Sequence, residues 1–242
     1  MSWISGKNTI LSSTKNGIIV DADVVFGKMD SSRHQCLVYA GPPSRHLPAL
    51  TSAAQQKLNE NYRCMFLNTP VMVAGMRNYL AATGIDVARE VAKTSLVLSS
   101  ERKHLVNGCF DVEGMLRSLA EGVEQALADG FAGLWATGDL TWEFGPAHDF
   151  GKLLEYEWGL EEAFRKFPAL SGICQYHIDT LPLEAVKKGL VCHQSLFVNE
   201  TLSNVNPFYV QAELYQNSGT TRNSKLESLI AALHVPLTPA GD

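Results

Sequence analysis

A chain of 242 residues, 45% of them hydrophobic, can bury a continuous core within one large domain. Its net charge of −5 and pI near 5.8 come without clustered Lys and Arg, which argues against direct nucleic-acid binding. The start has no basic stretch leading into an apolar segment and no later apolar run reaches membrane-spanning length, so the expectation is a soluble cytoplasmic protein.

Residues 1–30 read as an N-terminal extension, with Gly17-Ile18-Ile19-Val20 as a short extra strand. From there apolar runs alternate with helical patterns, which marks an α/β fold: three layers, with a mostly parallel sheet covered by helices on both faces. Core strands are expected at His34–Ala40, Arg63–Asn68, Ser95–Ser99, Gly133–Gly138, Gly172–His177 and Ser195–Val198. Their nearly continuous apolar character fits strands buried on both sides. Helices are expected at Leu47–Asn59, Pro70–Ala82, Asp86–Lys93, Asp111–Asp129, Asp149–Lys166 and Leu183–Lys188. The pattern is clearest after Asp111, where Val112, Met115, Leu116, Leu119, Val123, Ala126 and Leu127 form one apolar stripe that stops at Gly130. The main domain ends near Val210, and residues 211–242 read as a polar tail in which Ser224-Lys225-Leu226-Glu227 opens a short helix through Leu233.

The turn after the first core strand, Gly41-Pro42-Pro43-Ser44-Arg45-His46-Leu47-Pro48, stands where a nucleotide-binding loop would show G-x-x-x-x-G-K-[ST]. Prolines supply no N–H donors, and the second glycine and the lysine are missing, so this scaffold points to sensing rather than ATP turnover. The catalytic patterns G-x-S-x-G, H-E-x-x-H and G-x-G-x-x-G after a strand are also missing.

Four local features could carry chemistry. His34 and Cys36 are two apart on a strand and share a face; Cys174 and Tyr176 do the same on a later strand, with Gln175 and His177 opposite. If the strands are neighbours, Cys36 and Cys174 approach each other. Five cysteines without C-x-x-C spacing fit a reducing compartment, as buried hydrophobes or as ligands of a soft metal or haem iron. The run Thr137-Gly138-Asp139-Leu140-Thr141-Trp142-Glu143 leaves a strand at the carboxyl edge of the sheet, where open α/β folds bind ligands. There Asp139 either contacts ligand or caps the next turn, and Trp142 either walls a pocket or packs on the core. Finally, Phe150, Leu153, Leu154, Leu160 and Phe164 lie along one helical face with Glu157 in its middle. A carboxylate there needs either a buried Arg or His partner or a polar pocket.

Taken in order, Arg33-His34-Gln35-Cys36-Leu37-Val38-Tyr39, Thr137-Gly138-Asp139-Leu140-Thr141-Trp142, Leu153-Leu154-Glu155-Tyr156-Glu157, Cys174-Gln175-Tyr176 and Asn206-Pro207-Phe208-Tyr209 resemble the MEDS family, sensory domains of methanogens and methylotrophs. The resemblance spans Ser31 to Val210 and implies a RecA/KaiC-like fold that has lost its P-loop and senses small molecules, with hydrocarbon derivatives proposed. Its characteristic positions fall on His34, Cys36, Tyr39, Gly138, Trp142, Glu157, Cys174 and Tyr176, and where the family commonly has T-G-E this chain has Asp139, one methylene shorter. The expected function is non-catalytic: one pocket at the carboxyl edge lined by His34, Cys36, Tyr39, Asp139, Trp142, Cys174 and Tyr176, with Glu157 behind it, signals to a partner protein. The alternatives are a metal- or haem-dependent sensor using His34, Cys36 or Cys174, a divergent nucleotide binder, and an interaction module without a pocket. No cofactor is named by the sequence, and a homodimer is compatible with it.

Overall fold

In a computed structural model, the described residues are 33–198, 201–203, 206, 208–210 and 230–231. The extra strand at Gly17–Val20 lies outside them, and of the tail helix only Ile230 and Ala231, which are helical, lie inside. Among the described residues the sheet runs β3-β2-β6-β7-β1-β8-β9, with β1 (His34–Tyr39), β2 (Tyr62–Leu67), β3 (Leu96–Ser99), β6 (Gly133–Asp139), β7 (Leu170–His177), β8 (Ser195–Val198) and β9 (Thr201–Ser203). The first six in that order are parallel; β9 returns antiparallel along β8 at the edge. This is the expected three-layer α/β architecture.

Helices α1 (Leu47–Asn59), α2 (Pro70–Ala82) and α3 (Val87–Ala92) cover one face, packing Leu50, Met76, Leu80 and Val87 against Leu37, Tyr39, Phe66 and Trp135. The opposite face takes α4 (Val112–Ala128), α6 (Leu153–Lys166) and α7 (Leu183–Cys192), whose Leu119, Val123, Leu160, Phe164 and Leu190 meet Cys36, Val38, Leu134 and Tyr176. Each fully buried Leu or Phe contributes about 1.5–3 kcal/mol. Local chemistry sets the ends. The Asp111 carboxylate accepts from Gly114 N–H (3.1 Å) to start α4, and Gly130 with φ of 86° ends it; Thr69 caps α2 with Pro70 in its first turn.

Three details differ from the expectations. Residues 150–152 form a 3-10 turn before α6 rather than its first turn. A two-stranded hairpin, β4 (Leu105–Val106) with β5 (Cys109–Phe110), turns on Asn107-Gly108, both at positive φ. That Asn-Gly pair was the available signal, but two-residue flanks are too short to show alternation. Most consequential, α7 continues through Gly189 to Cys192 instead of stopping at Lys188. Gly189 is there because a Cβ would meet the Tyr176 ring at 2.2 Å, so the glycine marks close packing and not a helix end.

Candidate functional site

Strand pleating divides the predicted site residues between two places. Tyr39, Asp139 and Trp142 gather at the carboxyl edge, whereas His34, Cys36, Glu157, Cys174 and Tyr176 lie beneath the sheet on the α4, α6 and α7 side. The single expected pocket is therefore two separate environments, because side chains alternate along β1 and β7.

At the edge, a cleft of about 470 Å³ opens beyond the ends of β1, β2, β6 and β7. Helices following β1 and β2 leave toward one face while those following β6 and β7 leave toward the other, the divergence that creates a binding crevice in open α/β sheets. Tyr39, Met72, Trp142 and Pro146 give apolar walls; Asp139 and His177 give polar points. Asp139 is both cap and wall: Oδ1 accepts from Trp142 N–H (2.9 Å) to start α5 (Leu140–Glu143), and Oδ2 accepts from the Tyr39 hydroxyl (3.1 Å). Burial raises the Asp139 carboxyl above its ordinary range, opposed by those two hydrogen bonds. Trp142 is buried yet still borders the cleft, with the Arg102 guanidinium 5.8 Å from its ring. His177 stacks on Tyr39 at 4.7 Å, and its Nε2 lies 2.8 Å from the Gly41 carbonyl. The Gly41 N–H, which a phosphate-binding turn would offer to ligand, is given to Asp179 Oδ2 (2.7 Å).

Beneath the sheet, β1 and β7 are neighbours, the condition under which the sequence brings Cys36 and Cys174 together; the two stand opposite each other and both thiols are free. Glu157 is fully buried. Its Oε1 accepts a short hydrogen bond from the Tyr176 hydroxyl, and its Oε2 lies 3.4 Å from His34 Nε2, 3.3 Å from His193 Nε2 and 3.8 Å from Cys174 Sγ. Cys174 Sγ is 3.7 Å from His34 Nε2. Burial pulls His34 down to about 3 and His193 down to about 4, while it pushes the Glu157 carboxyl and the Cys174 thiol up. Histidine partners for Glu157 were one of the two expected outcomes. His193 itself was missed, since it follows the last turn of α7, beyond the expected end at Lys188. His193 Nδ1 is 2.7 Å from the Gly189 carbonyl, and Asn206 Nδ2 donates to the His193 carbonyl at 2.6 Å. Asn206 thus holds the cluster's second histidine in place.

Glu143, quoted in its motif without a role, is buried beside Gly138, where any Cβ would strike its carboxylate. An internal cavity of about 30 Å³, room for about one water, is bounded by Gly138, Glu143, Tyr156 and Cys174. Among the described residues no helix is long and apolar enough to cross a membrane.

Comparison with curated proteins gives no match. The family described as MEDS, the MEthanogen/methylotroph, DcmR Sensory domain, matches residues 33–194, a span that runs from the start of β1 past His193 and takes in both environments. The chain therefore belongs to the MEDS family of sensory domains.

Proposed function

We propose that this domain senses a small apolar or weakly polar molecule, of the hydrocarbon-derivative class, in the cleft at the carboxyl edge of its sheet, and passes its occupancy to a partner protein. The observation that carries this reading is the cleft itself, about 470 Å³ with aromatic and aliphatic walls and a few convergent polar groups at the ends of four strands. Membership of a sensory family supports it. The donors missing from the turn favour this ligand class over nucleotides: Asp179 occupies the Gly41 N–H, and Pro42 and Pro43 offer none to a phosphate, while the lining charges of Asp139 and Arg102 offset each other. An occupant pressing on Tyr39 and His177 acts on the Gly41 turn through the His177–Gly41 hydrogen bond, so occupancy shifts the position of that loop.

Thermal unfolding of the full chain against a panel of one- to four-carbon halides, alcohols, amines and thiols tests the reading. A ligand at a hundred times its Kd adds about 2.7 kcal/mol to the native state. At least one compound is expected to raise the midpoint in a saturable manner; a panel without effect, in a chain that unfolds cooperatively, contradicts the proposal.

A further inference from the structure

In the cluster beneath the sheet the two histidine–carboxylate spacings, 3.4 and 3.3 Å, are longer than ordinary N–H···O hydrogen bonds. His193 Nδ1 faces a carbonyl, which only accepts, so that nitrogen carries the proton and the neutral ring presents the Nε2 lone pair. This lone pair faces another acceptor, Glu157 Oε2, at 3.3 Å, and Nε2 is buried without a hydrogen-bond partner. Two acceptors that face each other share a cation, a proton or a metal ion, and 3.3 Å is longer than a direct hydrogen bond of about 2.7–3.2 Å, which favours the metal ion.

The remaining distances fit a coordination shell. Imidazole and carboxylate bonds of about 2.0–2.2 Å, with a thiolate bond of about 2.3 Å, set edges of about 3.3–3.8 Å in a tetrahedron. Four donor pairs stand at 3.3, 3.4, 3.7 and 3.8 Å, and all four donor atoms lie within 4.8 Å of one another. The two nitrogen–oxygen pairs, at 3.3 and 3.4 Å, exceed the range of about 2.7–3.2 Å for N–H···O hydrogen bonds, whereas the two sulfur contacts also lie in the range of thiol hydrogen bonds. We propose that His34, Glu157, Cys174 and His193 form a mononuclear site for a zinc-type divalent ion.

The groups around these ligands are those a metal site needs. Tyr176 holds the second oxygen of Glu157, the Gly189 carbonyl fixes the His193 tautomer, and Phe164 stacks on His34 at 4.6 Å. Two nitrogens, one oxygen and one sulfur suit zinc, and four protein donors close the tetrahedron, the arrangement of a structural centre rather than a catalytic one. The ion would tie β1, α6, β7 and the segment after α7 at one point. Cys36, expected as a ligand, is not among the four donors. The site is independent of the cleft and does not rest on the sensing proposal.

The test is titration of the reduced, chelator-treated full chain with cobalt(II) chloride, in a Cys109→Ser background because Cys109 is exposed. One equivalent is expected to produce the visible bands of tetrahedral cobalt and a near-ultraviolet thiolate-to-cobalt band, both displaced by zinc. Cys174→Ser removes the thiolate band, and His193→Gln weakens binding at least tenfold. No absorption with the folded chain overturns the proposal, as does a thiolate band that survives Cys174→Ser. Should Cys174→Ser fail to fold, unchanged affinity in His193→Gln overturns it equally.

Discussion

The Nε2 atom of His193 and Oε2 of Glu157 face each other at 3.3 Å in the interior, although they come from the segment after α7 and from α6. With His34 on β1 and Tyr176 on β7, four parts of the chain meet at one carboxylate. Burying that carboxylate costs far more than a neutral side chain would, so its partners must offset the cost.

Glu157→Gln keeps the volume, removes the charge and replaces one acceptor by a donor. In the metal-free protein the new amide can donate to the His193 Nε2 lone pair while its oxygen still accepts from Tyr176, so the urea midpoint is expected to hold or rise at unchanged slope. A midpoint lowered by more than about 1 kcal/mol would mean that the charge itself organises this face.

Gly189→Ala sets helix propensity against packing. In an open helix the change would gain about 1 kcal/mol. Here the new Cβ would lie 2.2 Å from the Tyr176 ring, whose hydroxyl is fixed on Glu157, so the ring cannot swing away without breaking that bond. Overpacking wins, and a net loss of about 1–3 kcal/mol is expected by chemical denaturation.

Glu143 makes stability depend on pH in an unusual direction. Burial pushes its carboxyl from 4.5 up to about 8, the Glu157 and Asp139 charges add to the shift, and a Tyr156 hydrogen bond opposes it. The folded state therefore binds a proton that the unfolded chain has already lost. Its contribution is whole below pH 4.5 and is lost as pH rises to about 8, since stability falls with pH wherever the native state holds more protons. Glu143→Gln is expected to remove this slope, so that the variant gains on the parent between pH 5 and about 8 in paired thermal melts. Parallel curves would place the titration elsewhere.

Tyr39→Phe deletes the donor to Asp139 Oδ2 and leaves the Trp142 N–H cap on Oδ1 intact. A loss of about 1.5–3 kcal/mol is expected, the range for hydrogen bonds to charged groups. Because Trp142 walls the cleft, its fluorescence should shift as well; a stability change without any spectral change would separate the Asp139 contact from the cleft.

The fold was legible because its strands are continuous apolar runs and its helices carry caps such as Asp111 and Thr69 at their starts. That Cys36 and Cys174 would meet if their strands were neighbours was legible from the shared faces, but the pairing of β1 with β7 was not, because strand order is set by long-range packing. The site was only half legible. Period-two alternation places His34 and Tyr39 on opposite faces of β1, but a list of characteristic residues does not carry that geometry. His193 lay outside every element expected from the sequence, because the expected helix ended at Lys188, whereas Gly189 lets α7 run on past the Tyr176 ring to Cys192. Asp139 is open in the sequence between ligand contact and turn cap; the structure gives the cap through Oδ1, while Oδ2 accepts from the Tyr39 hydroxyl at the cleft.

Saturation-transfer NMR of the same one- to four-carbon compounds, recorded on the parent chain and on Thr180→Trp, tests the sensing proposal most directly. Thr180 is exposed on the cleft rim, so a tryptophan there fills the opening without disturbing the buried histidine cluster. The account predicts transfer to at least one compound with the parent and its loss with the filled variant. Transfer of equal strength in both, or none with the parent, would contradict it.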